Sequence, residues 1–168
     1  MQIDAHASSI RLRQANADDE AFLRTLHRES MGPHVEAAWG SWDPVVQEER
    51  FGKARVPEHQ IVLLDGTPIG CLLVERKHDT VILSRIWIAP SAQGRGVGTQ
   101  LIRRICDGAD RDGCPVKLRV LKVNRAHRLY RRLGFEVLDE TDTHFVMLRP
   151  PVNVNNSTNA HWLPNSKR

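Results

Sequence analysis

Aromatic side chains are scarce in this 168-residue chain, which holds four tryptophans, four phenylalanines and a single tyrosine, Tyr130. A groove that binds single-stranded nucleic acid by base stacking interleaves aromatics with its cations, and here Tyr130 stands alone among them, so no nucleic-acid partner is expected. Cysteine is equally scarce. Cys71, Cys106 and Cys114 form no C-x-x-C pair, which argues against a disulfide framework and a thiolate zinc site and predicts three packing thiols. The eight histidines make no H-E-x-x-H or comparable ligand pair, so no metal is expected. No run approaches the roughly 20 apolar residues that span a bilayer. The opening MQIDAHASSI lacks the basic start and apolar stretch of a secretory signal. The expectation is a cytoplasmic protein with no membrane partner.

What is present is the composition of one ordinary globular domain, expected over residues 1–150, with an irregular tail over 151–168. The net charge of +4 is unevenly spread. Residues 95–132 hold eleven Lys or Arg against three Asp, whereas residues 1–94 hold ten basic and thirteen acidic groups. The basic block suits a polyanionic ligand, and the acidic half suits a cationic one.

Periodicity supplies the elements. Ile10 and Leu12 begin a short strand, and Asn16 with Asp19 forms a capping box ahead of a helix bearing Phe22, Leu23, Leu26 and Met31. Gly32-Pro33 is expected to end that helix, leaving HVEAAWGSW as a tryptophan-rich loop. Asp43-Pro44 predicts a second helix running to about Lys53. QIVLLD, PIGCLLVERK and TVILSRIWIAP, separated by Asp65-Gly66-Thr67 and His78-Asp79, predict an antiparallel meander. From Gly96 the period changes: Val97, Leu101, Ile105 and Ala109 recur at steps of four until about Gly113. A strand at VKLRVLKV, a short helix with Ala126, Leu129, Tyr130 and Leu133 on one face, and strands at FEVLDE and HFVMLRP complete the pattern.

Two blocks carry chemistry. Residues 86–99 read IWIAPSAQGRGVGT, a strand passing through a glycine-rich turn into a helix, where bare backbone and unpaired first-turn N–H groups make a phosphate site. The turn is not a Walker A loop, since no Gly-Lys-Ser/Thr follows. Nor is it G-x-G-x-x-G, because Thr99 stands at the third glycine. About 25 residues on comes VNRAHRLYRRLGF at 123–135. Together, Gln93-x-x-Gly96-x-Gly98 and Asn124, Ala126, Leu129-Tyr130, Leu133-Gly134-Phe135 resemble the signature of the GNAT superfamily of acetyl-CoA-dependent N-acetyltransferases.

That resemblance implies an α/β (α+β) fold, a mixed and mostly antiparallel sheet of about seven strands flanked by about four helices, splayed between parallel fourth and fifth strands to admit acetyl-CoA. It implies direct acetyl transfer to a primary amine of a small molecule or protein, without an acyl-enzyme. Backbone groups of Ile86, Trp87 and Ile88 would pair with the pantetheine arm, the Ile88 N–H would polarise the thioester, and Gln93, Gly94, Arg95, Gly96, Val97, Gly98 and Thr99 would cradle the pyrophosphate. Asn124 would touch the pantetheine and Tyr130 would protonate the departing thiolate. For the general base, a carboxylate or a water held by one, Glu36 and Glu75 are the candidates. Two departures stand out. Asn124 lies two residues before Ala126 where the family commonly has three, and Arg119 stands where members acting on ribosomal protein N-termini carry Glu. A non-catalytic acyl-CoA sensor and a nucleic-acid module are the alternatives, and a homodimer is left open.

Overall fold

The computed structural model describes residues 9–152, so the tail beyond Val152 lies outside the described residues. The elements run β1 (Ile10–Gln14), α1 (Glu20–Trp39), α2 (Pro44–Gly52), β2 (Gln60–Leu64), β3 (Thr67–Lys77), β4 (Thr80–Ile88), α3 (Val97–Arg111), β5 (Val116–Leu121), α4 (Ala126–Arg132), β6 (Glu136–Glu140) and β7 (His144–Arg149). The strands form one sheet in the order β1-β2-β3-β4-β5-β7-β6. Every neighbouring pair is antiparallel except β4 beside β5. This is the expected seven-stranded mixed sheet with four helices. No helix among the described residues is long and apolar enough to cross a membrane.

Most boundaries follow the local chemistry. Asn16 and Asp19 form their capping box, although it opens a single 3-10 turn before α1 begins. Asp43 caps α2 by accepting from the N–H groups of Val45 and Val46. The hairpin turns put Asp65, Gly66 and His78 at positive φ.

The first helix does not stop at Gly32-Pro33. It continues to Trp39 and ends at Gly40, which is left-handed at φ +84°. Proline disfavours the helical conformation of its predecessor chiefly by striking that residue's Cβ, and Gly32 has none. The supposed tryptophan-rich loop is therefore mostly a helix face.

Two cores sandwich the sheet. On one face Val97, Leu101, Ile102, Cys106 and Ala109 of α3 and Tyr130 of α4 pack on Val62, Leu72, Val81, Leu83, Val116, Leu118 and Met147. On the other, Leu23 and Leu26 of α1 and Phe51 of α2 pack on Ile61, Cys71 and Trp87. All three cysteines are buried, and burial pushes the Cys71 thiol up to about 12, as suits a packing role. The ends of α3, α4 and β7 are tied by Arg149, which pairs bidentately with Asp110 at 2.8 Å and donates to Leu133 O.

Candidate active site

The site originates in a β-bulge. Along β3 and β4 the register passes from Leu73↔Arg85 to Val74↔Leu83, so Ser84 is an extra, unpaired residue. The extra residue resets the alternation of side chains. Val81 and Leu83 face the α3 layer before the bulge, and Ile86 and Ile88 face it after the bulge. Trp87 then turns to the α1 layer. The parallel ladder with β5 ends at the same place, its last pair being Leu83↔Leu118. Beyond it β4 and β5 diverge, which is the expected splay.

The divergence leaves an unpaired backbone edge. Ala89 N–H donates to Ile69 O on β3 at 2.8 Å. Because polar groups alternate along a strand, the N–H groups of Ile88 and Ile86 point the other way, into the gap. Ile88 O is met there by Gln93 Nε2 at 2.9 Å, so Gln93 fixes the turn rather than projecting away from it. Trp87 differs from its neighbours. Its backbone lies against β3, so close that a Cβ on Gly70 would sit 2.5 Å from its carbonyl oxygen, and it offers no edge group to the gap.

The glycine turn follows. Gly94 and Gly96 take φ of +73° and +78°, and a Cβ at Gly94, Gly96 or Gly98 would meet nothing within 4 Å. No part of the chain packs on them, so the backbone of the turn is open to close approach. Gln100 is the first to bond back into the helix, to Gly96 O at 3.0 Å, which leaves the N–H groups of Val97, Gly98 and Thr99 without a partner among the described residues at the positive end of α3. Arg95, Thr99 and Arg103 line a hollow of about 460 Å³ beside them.

Two further openings meet in the splay. A groove of about 510 Å³ runs past Ile88, Gly94, Gly98, Asn124, Ala126 and Tyr130. A cleft of about 210 Å³ lies beyond it, between α1, α2 and the ends of β4, β5 and β7. Met31, Ile86, Trp87, Asn124 and Tyr130 line both, so the two are continuous. Asn124 Oδ1 accepts from the Ala126 N–H at 2.9 Å, an Asx turn that accounts for the two-residue spacing and leaves the amide NH2 toward the openings. Tyr130 is buried against Phe135, and burial pushes its phenol up to about 12.

Residues 57–137 match the description of an acetyltransferase (GNAT) domain. That segment, just under half of the chain, is similar to GNAT acetyltransferase domains. A GCN5-like protein acetyltransferase of Mycobacterium tuberculosis is 47% identical over 55 residues, 32% of this chain and 27% of that protein. The match thus spans about a quarter of that curated relative. Among solved structures, the PaiA N-acetyltransferase of Thermoplasma acidophilum in complex with coenzyme A superposes with a TM-score of 0.67 at 19% identity, covering 84% of this chain and 99% of that one. An acetyltransferase of Thermus thermophilus gives 0.64 at 23% identity, covering 84% and 97%. These likenesses are of fold.

The fold does not place both expected acids near the splay. Glu36 is exposed on α1 and pairs with Arg28 at 3.1 Å, apart from the residues lining the cleft. Glu75 is also outside the lining, yet it accepts a hydrogen bond from Ser84 Oγ, and Ser84 is on the cleft wall. Several cleft residues carried no signal in the sequence. His27 stacks on Trp87 with ring centroids 4.6 Å apart, and burial followed by the charges of Arg85 and Arg50 holds its pKa down at about 4. His144, with Nδ1 2.8 Å from Thr143 Oγ1, is likewise held at about 4 by burial and then by Arg119 and Arg50. Both rings are therefore neutral at physiological pH. No periodicity or motif announces them, because well-separated chain segments supply them.

Proposed function

We propose that this domain transfers an acetyl group from acetyl-CoA to a primary amine, by direct attack with both reactants bound. The observation that carries the reading is the continuity of groove and cleft at Tyr130, below a strand edge whose Ile88 N–H is free. Gly94 to Thr99 and the cations Arg95 and Arg103 would hold the pyrophosphate, and the Asn124 amide would meet the pantetheine arm. Bound acetyl-CoA supplies a thioester whose carbon takes the amine: a C–N bond forms, the C–S bond breaks, and the sulfur leaves with the electron pair.

The protein's part is positioning and charge stabilisation. The Ile88 N–H donates to the carbonyl oxygen as negative charge grows there. Tyr130 donates its O–H to the departing sulfur. With a phenol near 12 against a thiol near 8.5, full proton release would run about 5 kcal/mol uphill, so Tyr130 acts as a hydrogen-bond donor whose proton follows the sulfur only in part. The proton lost by the amine passes to Ser84 Oγ or a water beside it and on to the Glu75 carboxylate.

Thiol release from acetyl-CoA, measured across a panel of primary amines, tests the reading. Tyr130→Phe should lower kcat about 100-fold with little change in KM for acetyl-CoA. Amine-independent thiol release, or full activity in Tyr130→Phe, would remove the assigned roles.

A further inference from the structure

The charges around the acceptor cleft are of one sign. Arg50 from α2, Arg85 from β4 and Arg119 from β5 all line it, and among the described residues no carboxylate does. Five acids of the amino-terminal half, which the sequence suggested would draw a cationic acceptor, are engaged elsewhere: Asp19 with Arg13, Glu20 and Glu48 with Arg24, Glu36 with Arg28, and Glu58 with Arg55. Among the described residues none of the three cleft arginines has a carboxylate partner.

The three are not equivalent. Arg85 is fixed by its neighbours, bonding His59 Nε2 at 3.0 Å, Arg50 O at 2.7 Å and Phe51 O at 2.9 Å, and it contributes charge rather than free donors. Arg50 keeps its donors: its guanidinium lies 4.5 Å over the Trp39 ring, and Trp39 is 6.0 Å from the His144 ring. Arg119 faces Val146 and Leu121 faces His144 across the β5 and β7 ladder, so Arg119 and His144 are diagonal neighbours on one face of the sheet. Arg50 and Arg119 thus approach His144 from opposite walls. A guanidinium with unused donors in a half-enclosed, low-dielectric cleft is a fork for a carboxylate or phosphate. A cationic amine would meet three like charges there.

We infer, on the basis of the acetyl-transfer reading, that the acceptor is an amine that also carries an anionic group, a carboxylate or a phosphate, gripped by Arg119 and Arg50 while the amine points toward Ile88. The anion neutralises the cleft, and the neutral His144 between the two arginines offers a further hydrogen bond without adding charge. A diamine or polyamine lacks that group.

Product-like ligands test this without requiring turnover. Trp39 and Trp87 line the cleft, so their fluorescence reports occupancy of the full chain. N-acetylglycine and N-acetyl-O-phosphoethanolamine are titrated against N-acetylglycinamide and N-acetylputrescine. Binding of either anion at least tenfold tighter than the amide, abolished by Arg119→Gln and restored in part by Arg119→Lys, is the expected result; the stronger of the two anions names the group. Equal affinity for the amide, preference for the cation, or an anion preference untouched by both Arg119→Gln and Arg50→Gln overturns the inference. CoA without an acetyl group, titrated into Arg119→Gln, reports the acetyl-transfer reading separately, since its pyrophosphate falls at the glycine turn and not at the arginine pair.

Discussion

Leu83 and Leu118 are the last residues of β4 and β5 to lie side by side, and the residue that follows Leu83 is the bulged Ser84. One extra residue in β4 thus ends a ladder, reverses the facing of Ile86 and Trp87, and frees the Ile88 N–H. The opening between the strands is a consequence of local backbone geometry before any side chain contributes to it.

If that free N–H is the oxyanion donor, Ile88→Pro removes it without breaking a bond of the β3 and β4 ladder, since the group points into the gap. The expected outcome is a fall in kcat of about 100-fold with acetyl-CoA still bound, measured by steady-state thiol release and by calorimetry. Unchanged kcat would show that the donor is elsewhere.

Much of this was legible in the sequence. The meander, the amphipathic α3 and the capped α2 each rest on interactions within a dozen residues, where periodicity and capping speak directly. The phosphate turn was equally readable, because glycines at 94, 96 and 98 carry their backbone meaning with them. Pro33 misled, since the steric rule that ends helices before proline fails when the predecessor is Gly32. The acceptor cleft was the least legible part. Its charge is decided by which of many arginines lack acids, and that depends on pairings such as Arg28 with Glu36 and Arg24 with Glu48 that only the fold brings about.

The Asp110 and Arg149 pair is nearly closed to solvent, with side chains about one-tenth exposed. Removing one partner leaves a buried charge, so Asp110→Ala should cost about 3 kcal/mol in a denaturant titration. The guanidinium of Arg149 holds the Asp110 carboxyl below its ordinary 3.8. Its contribution is complete above the unfolded value and disappears as the pH falls through the lower folded value, so this pair protects at neutral pH and fails only in strong acid.

His27 behaves at milder acidity. Its pKa is about 4 in the fold against 6.5 unfolded, so between those values the unfolded chain takes up a proton that the folded one refuses. Stability should be greatest above pH 6.5 and decline toward pH 4, with Tm on the order of 5 °C lower at pH 5 than at pH 7.5. His27→Phe, which retains the stack on Trp87, should make that slope shallower and leave the share that His144 contributes. A slope unchanged in this variant would assign it to the other histidines that burial holds low, His34, His59, His127 and His144.

Calorimetric titration with acetyl-CoA and with acetyl-pantetheine, at low and moderate salt, tests the central claim most directly. The account predicts saturable binding of acetyl-CoA, at least tenfold weaker binding of the fragment lacking the pyrophosphate, and a difference that shrinks as salt rises. Equal affinity for the two ligands would contradict the glycine turn as the phosphate site, and absence of binding at millimolar acetyl-CoA would contradict acetyl transfer itself.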